Sequence, residues 1–427
     1  MPRRNLLWLI AITLISLLCY QRVQRNPYGR VLGDAISKIE QRHLEPIQPL
    51  DLFEGAMDGM LGQLDDYSAY IRPADLQEFH ESIDQQFSGV GMEVGLDPKT
   101  RQLTVLSPLV GSPAYVAGIR AGDRLLRIDD SATQGMSLKD AVGLLRGEPG
   151  SAVTLTIRHE GDEKAIEVRI VRDIIQAPTV VGDTRNADGS WNFFLEGHDR
   201  IGYVRINSFV DKTVSDLQQA LEWLQEREMR GLVLDLRDDP GGLLSSAVDV
   251  CDLFIDSGVI VTTRRRDGRI SETYEASGNG PFTDFPMAAL VNNHTASAAE
   301  IVAACLQDHH RAVVVGQRSF GKGTVQEVMD LENGCGAMKL TTAGYWRPSG
   351  KNIHRLRNAG DKDEWGVRPD EGCEVVLDAA ELAKWRLWRQ QRDICKPNGA
   401  PKPAEPFVDR QLMRAVEYVE KTVGSGQ

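Results

Sequence analysis

Three segments of this 427-residue chain carry residue types and spacings that could do covalent chemistry. The first is ALVNNHTASAAEIVAACL, residues 289–306, where an apolar strand ends in polar residues and a helix opens at Ser297. Backbone N–H groups at a helix start are unpaired and partly positive, so they can stabilise an oxyanion beside a hydroxyl nucleophile. The plain alternative is that Ser297 and Glu300 form an S-x-x-E capping box with no catalytic role. The second segment, VVVGQRSFGKGTVQEVMDL, contains G-x-x-x-x-G-K from Gly316 to Lys322. Such a loop cradles phosphates when it opens a helix, but Gly323 stands where Mg²⁺ ligation needs Ser or Thr. TVQEVMDL also alternates like a strand, so nucleotide binding is a near miss. A hydroxyl nucleophile needs a base, and His294, His309 and His310 offer no convincing pairing with an acid. A lysine serves if burial leaves its amine neutral, as in Ser–Lys variants of the triad. Lys322 lies among glycines after an apolar strand; the alternative is a solvated loop lysine. The third segment, GLVLDLRDDPGGLLSSAV, ends a buried strand in Gly241 and Gly242. Paired glycines there let N–H groups approach a ligand, or simply make a tight strand-to-helix turn.

The elements that must position these residues are legible in the hydrophobic pattern. Residues 31–82 read as helical from apolar positions three and four apart. Between about 86 and 175, short strands punctuated by glycine (VGMEVGL, QLTVLSPL, DRLLRIDD, AVTLTIRH, AIEVRIVR) surround one helical stretch, SLKDAVGLLRG. Beyond Pro178 strands alternate with helices: RIGYVRI, GLVLDLR, MAALVNN and RAVVVG against VSDLQQALEWLQERE, LLSSAVDVCDLF and SAAEIVAACLQDH. That alternation implies crossover connections over a largely buried parallel sheet. From about 376 the chain returns to helix, broken by a Pro-rich linker reaching 406, with a last helix from near Val408. The expected fold class is therefore mixed α/β and α+β, multidomain.

Composition excludes several function classes. Hydrophobic residues make up 41% and charged residues 26%, which is ordinary globular composition and neither disordered nor polytopic membrane. Forty-nine basic against 61 acidic residues give a net charge of −12, so nothing favours phosphate neutralisation along nucleic acid. Six cysteines (19, 251, 305, 335, 373, 395) form no C-x-x-C pair and no H-E-x-x-H occurs, so no metal or other cofactor is indicated. Cys251 and Cys305 lie in apolar stretches and are expected as buried, inert thiols; a pairing of Cys335, Cys373 and Cys395 is left open. Arg3 and Arg4 precede an apolar run at residues 6–20. It is read as an uncleaved membrane anchor, with a removed signal peptide as the alternative, and the remainder is expected to be exported.

Together the three segments resemble the carboxyl-terminal processing proteases, a serine peptidase family. Its N-x-x-T-A-S-A-x-E stretch is matched by Asn292–Glu300, its T/S-F-G-K-G stretch by Ser319–Gly323, and its D-L-R-x-N-P-G-G motif by Asp235–Gly242, with Asp239 replacing the usual asparagine. IGYVRINSF, LDDYSAYIRP and GYWRPSGKNI match as well, so the resemblance covers roughly 35–425. It implies Ser297 as nucleophile, Lys322 as base, Gln326 orienting the lysine, and an oxyanion hole from the N–H of Ala298 with that of Gly241 or Gly242. It further implies that the strand-rich module is a PDZ domain. Gly89, Val90, Gly91 and Met92 would hold a peptide's terminal carboxylate, and Arg146 would link capture to activation. The expected organisation is a signal or anchor segment 1–26, a helical region 27–85, a PDZ domain 86–175, a mixed α/β Ser/Lys protease core 176–377 and C-terminal helices 378–427. The expected partners are proteins or peptides with apolar C-terminal tails and the membrane through residues 6–20. The helices from about 408 could form a homodimer. Activity should rise with pH as the lysine deprotonates. The rival readings are an inactive PDZ scaffold and a nucleotide hydrolase.

Overall fold

The computed structural model describes residues 27–97, 100–395 and 407–425, with isolated positions (5, 8, 10, 12–14, 16) in the N-terminal apolar run. That run therefore lies largely outside the described residues. Among those described, no helix is long and apolar enough to cross a membrane. The chain divides into two compact units, residues 1–76 with 326–341 and residues 77–325 with 342–427.

In the smaller unit, helices α1 (Pro27–Arg42) and α2 (Pro49–Leu61) precede strand β1 (Ala69–Ile71). Met57, Leu61 and Tyr70 form its small buried cluster, with Phe53, Leu331, Met338 and Leu340 against it. The helical reading of 31–82 thus holds in outline but missed β1. That strand is three residues long and pairs with residues 337–339, a partner far away in sequence.

The larger unit holds two cores. One belongs to an antiparallel sheet of β3 (Met92–Leu96), β4 (Leu103–Pro108), β5 (Arg124–Ile128), β6 (Ser131–Ala132), β7 (Ala152–Arg158) and β8 (Ile166–Val171). Beside it β2 (Gln86–Gly89) pairs with β9 (Asp173–Gln176). After α3 (Leu76–Asp84), helices α4 (Pro113–Val116) and α5 (Leu138–Leu145) cover this sheet. Strand β7 alternates buried and half-buried along AVTLTIR, the period-two pattern of a sheet with one face in the core.

The other core surrounds a sheet ordered β10 (Val180–Val181), β13 (Ile201–Ile206), β14 (Gly231–Asp235), β17 (Met287–Val291), β18 (Val313–Gly316). The last four run parallel. Strands β13, β14 and β17 are buried at every residue, which is why they read as continuous apolar runs. Val204, Leu232, Leu234 and Ala289 pack under α6 (Thr213–Gln225), α7 (Leu244–Asp252) and α8 (Ala298–Asp308). Tyr203, Val233, Ala288 and Leu290 face the opposite way, towards Leu412, Ala415, Val416 and Val419 of the last helix, α10 (Arg410–Ser425). That packing covers the apolar face of α10 formed by Leu412, Ala415, Val416 and Val419 with its own sheet. The remaining elements are the small β11 (Thr184–Arg185) and β12 (Trp191–Asn192) pair, the antiparallel β15 (Val259–Arg265) and β16 (Ile270–Glu275), β19 (Thr324–Asp330), β20 (Ala337–Trp346) and α9 (Ala379–Asp393).

Candidate active site

Ser297 stands between β17 and α8 with φ 56° and ψ −118°. An ordinary N-cap residue is extended, and a non-glycine residue at positive φ costs about 1–3 kcal/mol unless its surroundings enforce it. The surroundings are visible. Ala296 N–H donates to the Asp239 carbonyl at 2.9 Å, and Phe320 N–H to that of Thr295 at 2.9 Å. Thr295 Oγ1 donates to the Leu236 carbonyl at 2.8 Å. The stretch after β14 and the loop after β18 therefore fix the turn that lifts Ser297 to the head of the helix.

The capping reading is half right. Ser297 N–H donates to Glu300 Oε2 at 2.9 Å, as in a capping box. But the same oxygen accepts Lys322 N–H at 2.8 Å, while Oε1 accepts Gly321 N–H at 2.7 Å and Ser319 Oγ–H at 2.5 Å. One carboxyl thus takes four donors and ties the backbone of Ser297 to that of Lys322. Glu300 is fully buried, and burial pushes its carboxyl up to about 7 against the pull of these four bonds. Ser319 Oγ in turn accepts Val367 N–H at 2.6 Å. The loop from Gly316 leads into strand β19, not a helix, so it lacks the helix N-terminus a phosphate loop requires. Glycine is required within it, because a β-carbon at Gly323 would lie 2.3 Å from His354 N.

Asp235–Gly242 forms the third wall. Gly241 has φ 95°, and a β-carbon there would lie 2.8 Å from both Ala298 N and Ser297 Cβ. Gly242 has φ 152° and fits directly against the Phe209 carbonyl. The two glycines differ in one respect: Gly241 N–H is already donated to Asp239 Oδ1 at 2.7 Å. Upstream, Arg237 binds Asp235 through Nε and Nη2, and Asp409 and Gln411 through Nη1 at 3.0 and 3.1 Å. Burial alone would raise the Asp235 carboxyl, but the Arg237 charge together with the hydrogen bonds from Arg237 and Tyr203 outweighs it and holds it below its ordinary value. Asp238, at φ 58°, is clasped by Asn292 Nδ2 at 2.9 Å and by the Arg386 guanidinium.

Local spacing could not have disclosed two further contacts. Tyr345, its phenol pushed up to about 12 by burial, shares a hydrogen bond with the Ser297 side chain. Arg386 reaches Asp238 from α9, 148 residues away. Gln326 lies in the other compact unit. There its Nε2 donates to Thr341 Oγ1 at 3.4 Å, and Thr341 Oγ1 donates to Asp65 Oδ1 at 3.1 Å. Among the described residues, no group of acidic, histidine or cysteine side chains could hold a metal ion. The five described cysteines are free thiols, with Cys251 and Cys305 fully buried.

Gly89–Met92 leaves β2 and enters β3, with Gly91 at φ 76° and its carbonyl accepting Ser112 Oγ–H at 2.7 Å. A cavity of about 850 Å³ adjoins this loop. Val94, Val142 and Leu145 line one wall, and Arg386, Leu387 and Gln390 of α9 another. Arg146 ends α5, lies 5.4 Å over the Phe87 ring, and approaches Glu81 at 3.7 Å.

Comparison with known proteins gives the family and a domain within it. Residues 200–372 match the model of peptidase family S41, and residues 104–159 match a PDZ domain. The carboxy-terminal-processing protease of Bartonella bacilliformis is 35% identical over 414 residues, covering 93% of this chain and 89% of its own. The chain belongs to the carboxyl-terminal processing proteases. It is thus a serine-type peptidase carrying a PDZ domain, of mixed α/β fold. CtpA of Bacillus subtilis, a carboxy-terminal processing protease, is 33% identical over 352 residues, covering 82% of this chain and 70% of its own. A putative S41 protease from Bacteroides fragilis shares the fold at 16% identity and a TM-score of 0.52, covering 92% of this chain and 96% of the other.

Proposed function

We propose that this chain is an endopeptidase cleaving exported proteins at or near their C-termini with a Ser297–Lys322 dyad. The observation that carries the reading is the Glu300 carboxyl, one oxygen of which accepts the backbone N–H of both residues. A helix cap has no need of the lysine loop; a nucleophile and its base do. Ser297 Oγ attacks the scissile carbonyl while neutral Lys322 Nζ takes its proton. The carbonyl π-bond electrons pass to oxygen, and the N–H groups of Ala298 and Gly242 receive that charge. The ammonium of Lys322 then gives its proton to the departing amine as the C–N bond breaks. Water, deprotonated by the same lysine, releases the acyl group. Gln326 orients the lysine amine.

Residues 86–175 act as the capture module and 176–377 as the protease core. The loop Gly89–Met92 takes the carboxylate of an apolar tail, and Arg146 relays its arrival. The apolar run 6–20 holds the enzyme at the membrane with its catalytic part on the exported side. The test compares cleavage of an unstructured protein with an apolar C-terminus by the parent chain, Ser297→Ala and Lys322→Ala. Loss of cleavage in both variants, with circular dichroism unchanged, is expected. Equal cleavage by all three would overturn the reading.

A further inference from the structure

The residue at which the chain departs from its family's pattern, Asp239, is fully buried. Its Oδ1 accepts the Gly241 N–H at 2.7 Å, while Oδ2 is buried without a hydrogen-bond partner among the described residues. Its own carbonyl accepts Ala296 N–H, so the residue touches both the glycine turn and the segment that leads into Ser297. A carboxylate normally takes two or more donors or a cation, and a buried carboxylate lacking them is driven to the neutral acid. Burial does raise the Asp239 carboxyl well above its ordinary value, opposed only by the Gly241 N–H. No charged group contributes: Asp235, Arg237 and Asp238 from its own strand end, His294 from the loop after β17 and Glu300 from α8 are all engaged elsewhere.

We propose that Asp239 is a positioning residue that serves the oxyanion hole as an uncharged acid and gives this protease an alkaline limit. This inference rests on the Ser297–Lys322 reading. As the acid, Asp239 engages Gly241 N–H, orients the turn, and leaves the Gly242 and Ala298 N–H groups for the oxyanion. As the carboxylate, it places a negative charge one peptide from the atom on which negative charge develops. It also leaves Oδ2 in need of a solvation that the site lacks. An oxyanion hole works by preorganised positive dipoles, so a like charge beside it raises the barrier directly. Asparagine presents the same acceptor to Gly241 and cannot ionise.

The experiment follows kcat/KM of the parent chain and Asp239→Asn from pH 5 to 10, with Ser297→Ala as the blank. The ratio of variant to parent activity should climb more than ten-fold with pH; a flat ratio would overturn the inference. Thermal midpoints of both proteins over the same range give an independent readout. A group held as the acid in the folded state loses its stabilising contribution as pH rises through its folded pKa. Asp239→Asn should therefore gain midpoint relative to the parent as pH rises, and a pH-independent difference would overturn the proposal even if the enzyme is inactive. Cleavage persisting in Ser297→Ala would overturn the dyad reading instead, leaving the midpoints to decide Asp239.

Discussion

Replacing Glu300 with glutamine separates a helix cap from a positioning hub. Gln is as good as Glu in a capping box, so a residue that merely caps α8 should tolerate the change with little loss of activity or stability. The hub cannot. Whichever way the introduced amide is turned, one former oxygen becomes an NH₂ that faces donors. Turned towards Ser319 and Gly321, the hydroxyl can reverse its role, but Gly321 N–H is left buried without a partner, at about 1–3 kcal/mol. Turned the other way, Ser297 and Lys322 both lose their acceptor. Against this stands the charge. The Glu300 carboxyl is pushed from 4.5 to about 7, so its contribution to stability is intact below about 4.5 and is lost as pH rises through about 7. Between pH 5 and 8 the parent should lose about 2–3 kcal/mol relative to Glu300→Gln, which roughly cancels the unpaired donor. The expected outcome at pH 8 is near-parental stability in urea with kcat/KM down about 100-fold, the scale of a 1 Å misplacement of reacting groups. Urea titrations and initial rates at pH 5, 6.5 and 8 provide the check. Activity within three-fold of the parent, or a stability difference that does not change with pH, would refute the argument.

Two other perturbations probe the surrounding structure. Arg237→Ala leaves the buried carboxylates of Asp235 and Asp409 without their cation and should cost about 3–5 kcal/mol, measured by urea unfolding; Arg237→Lys should recover only part, since it cannot bridge Asp235, Asp409 and Gln411 together. Gly91→Ala forces a β-carbon to 2.3 Å from Ser112 Cβ at φ 76°, so it should abolish binding of an apolar-tailed peptide by fluorescence anisotropy. Its cleavage of a short peptide substrate lacking such a tail should fall far less than its cleavage of the tailed protein.

The amino-acid sequence alone determined the chemistry on offer and most of the elements that present it. Continuous apolar runs placed β13, β14 and β17 in the buried sheet, because a strand covered on both faces needs no polar side. TVQEVMDL read as a strand and is β19, which removed the phosphate-loop alternative without a nucleotide experiment. The resemblance to the protease family named Ser297, Lys322 and Gln326, and turn chemistry named the glycines at 241 and 242, because motifs and turns are local properties. What stayed hidden depends on partners distant in the chain. β1 pairs with a strand some 270 residues later, and its three residues carry too little pattern to be read alone. Three of the four bonds to Glu300, the bond of Tyr345 to Ser297 and the grip of Arg386 on Asp238 come from segments that meet only in the folded chain. Burial is likewise a tertiary quantity. Glu300 and Asp239 are ordinary acids in the sequence, and only their complete enclosure pushes their carboxyls up. A plain helix cap and a carboxyl shared with a second loop have the same S-x-x-E letters; the left-handed backbone of Ser297 and the Lys322 loop on the same carboxyl are imposed by packing that no local pattern contains.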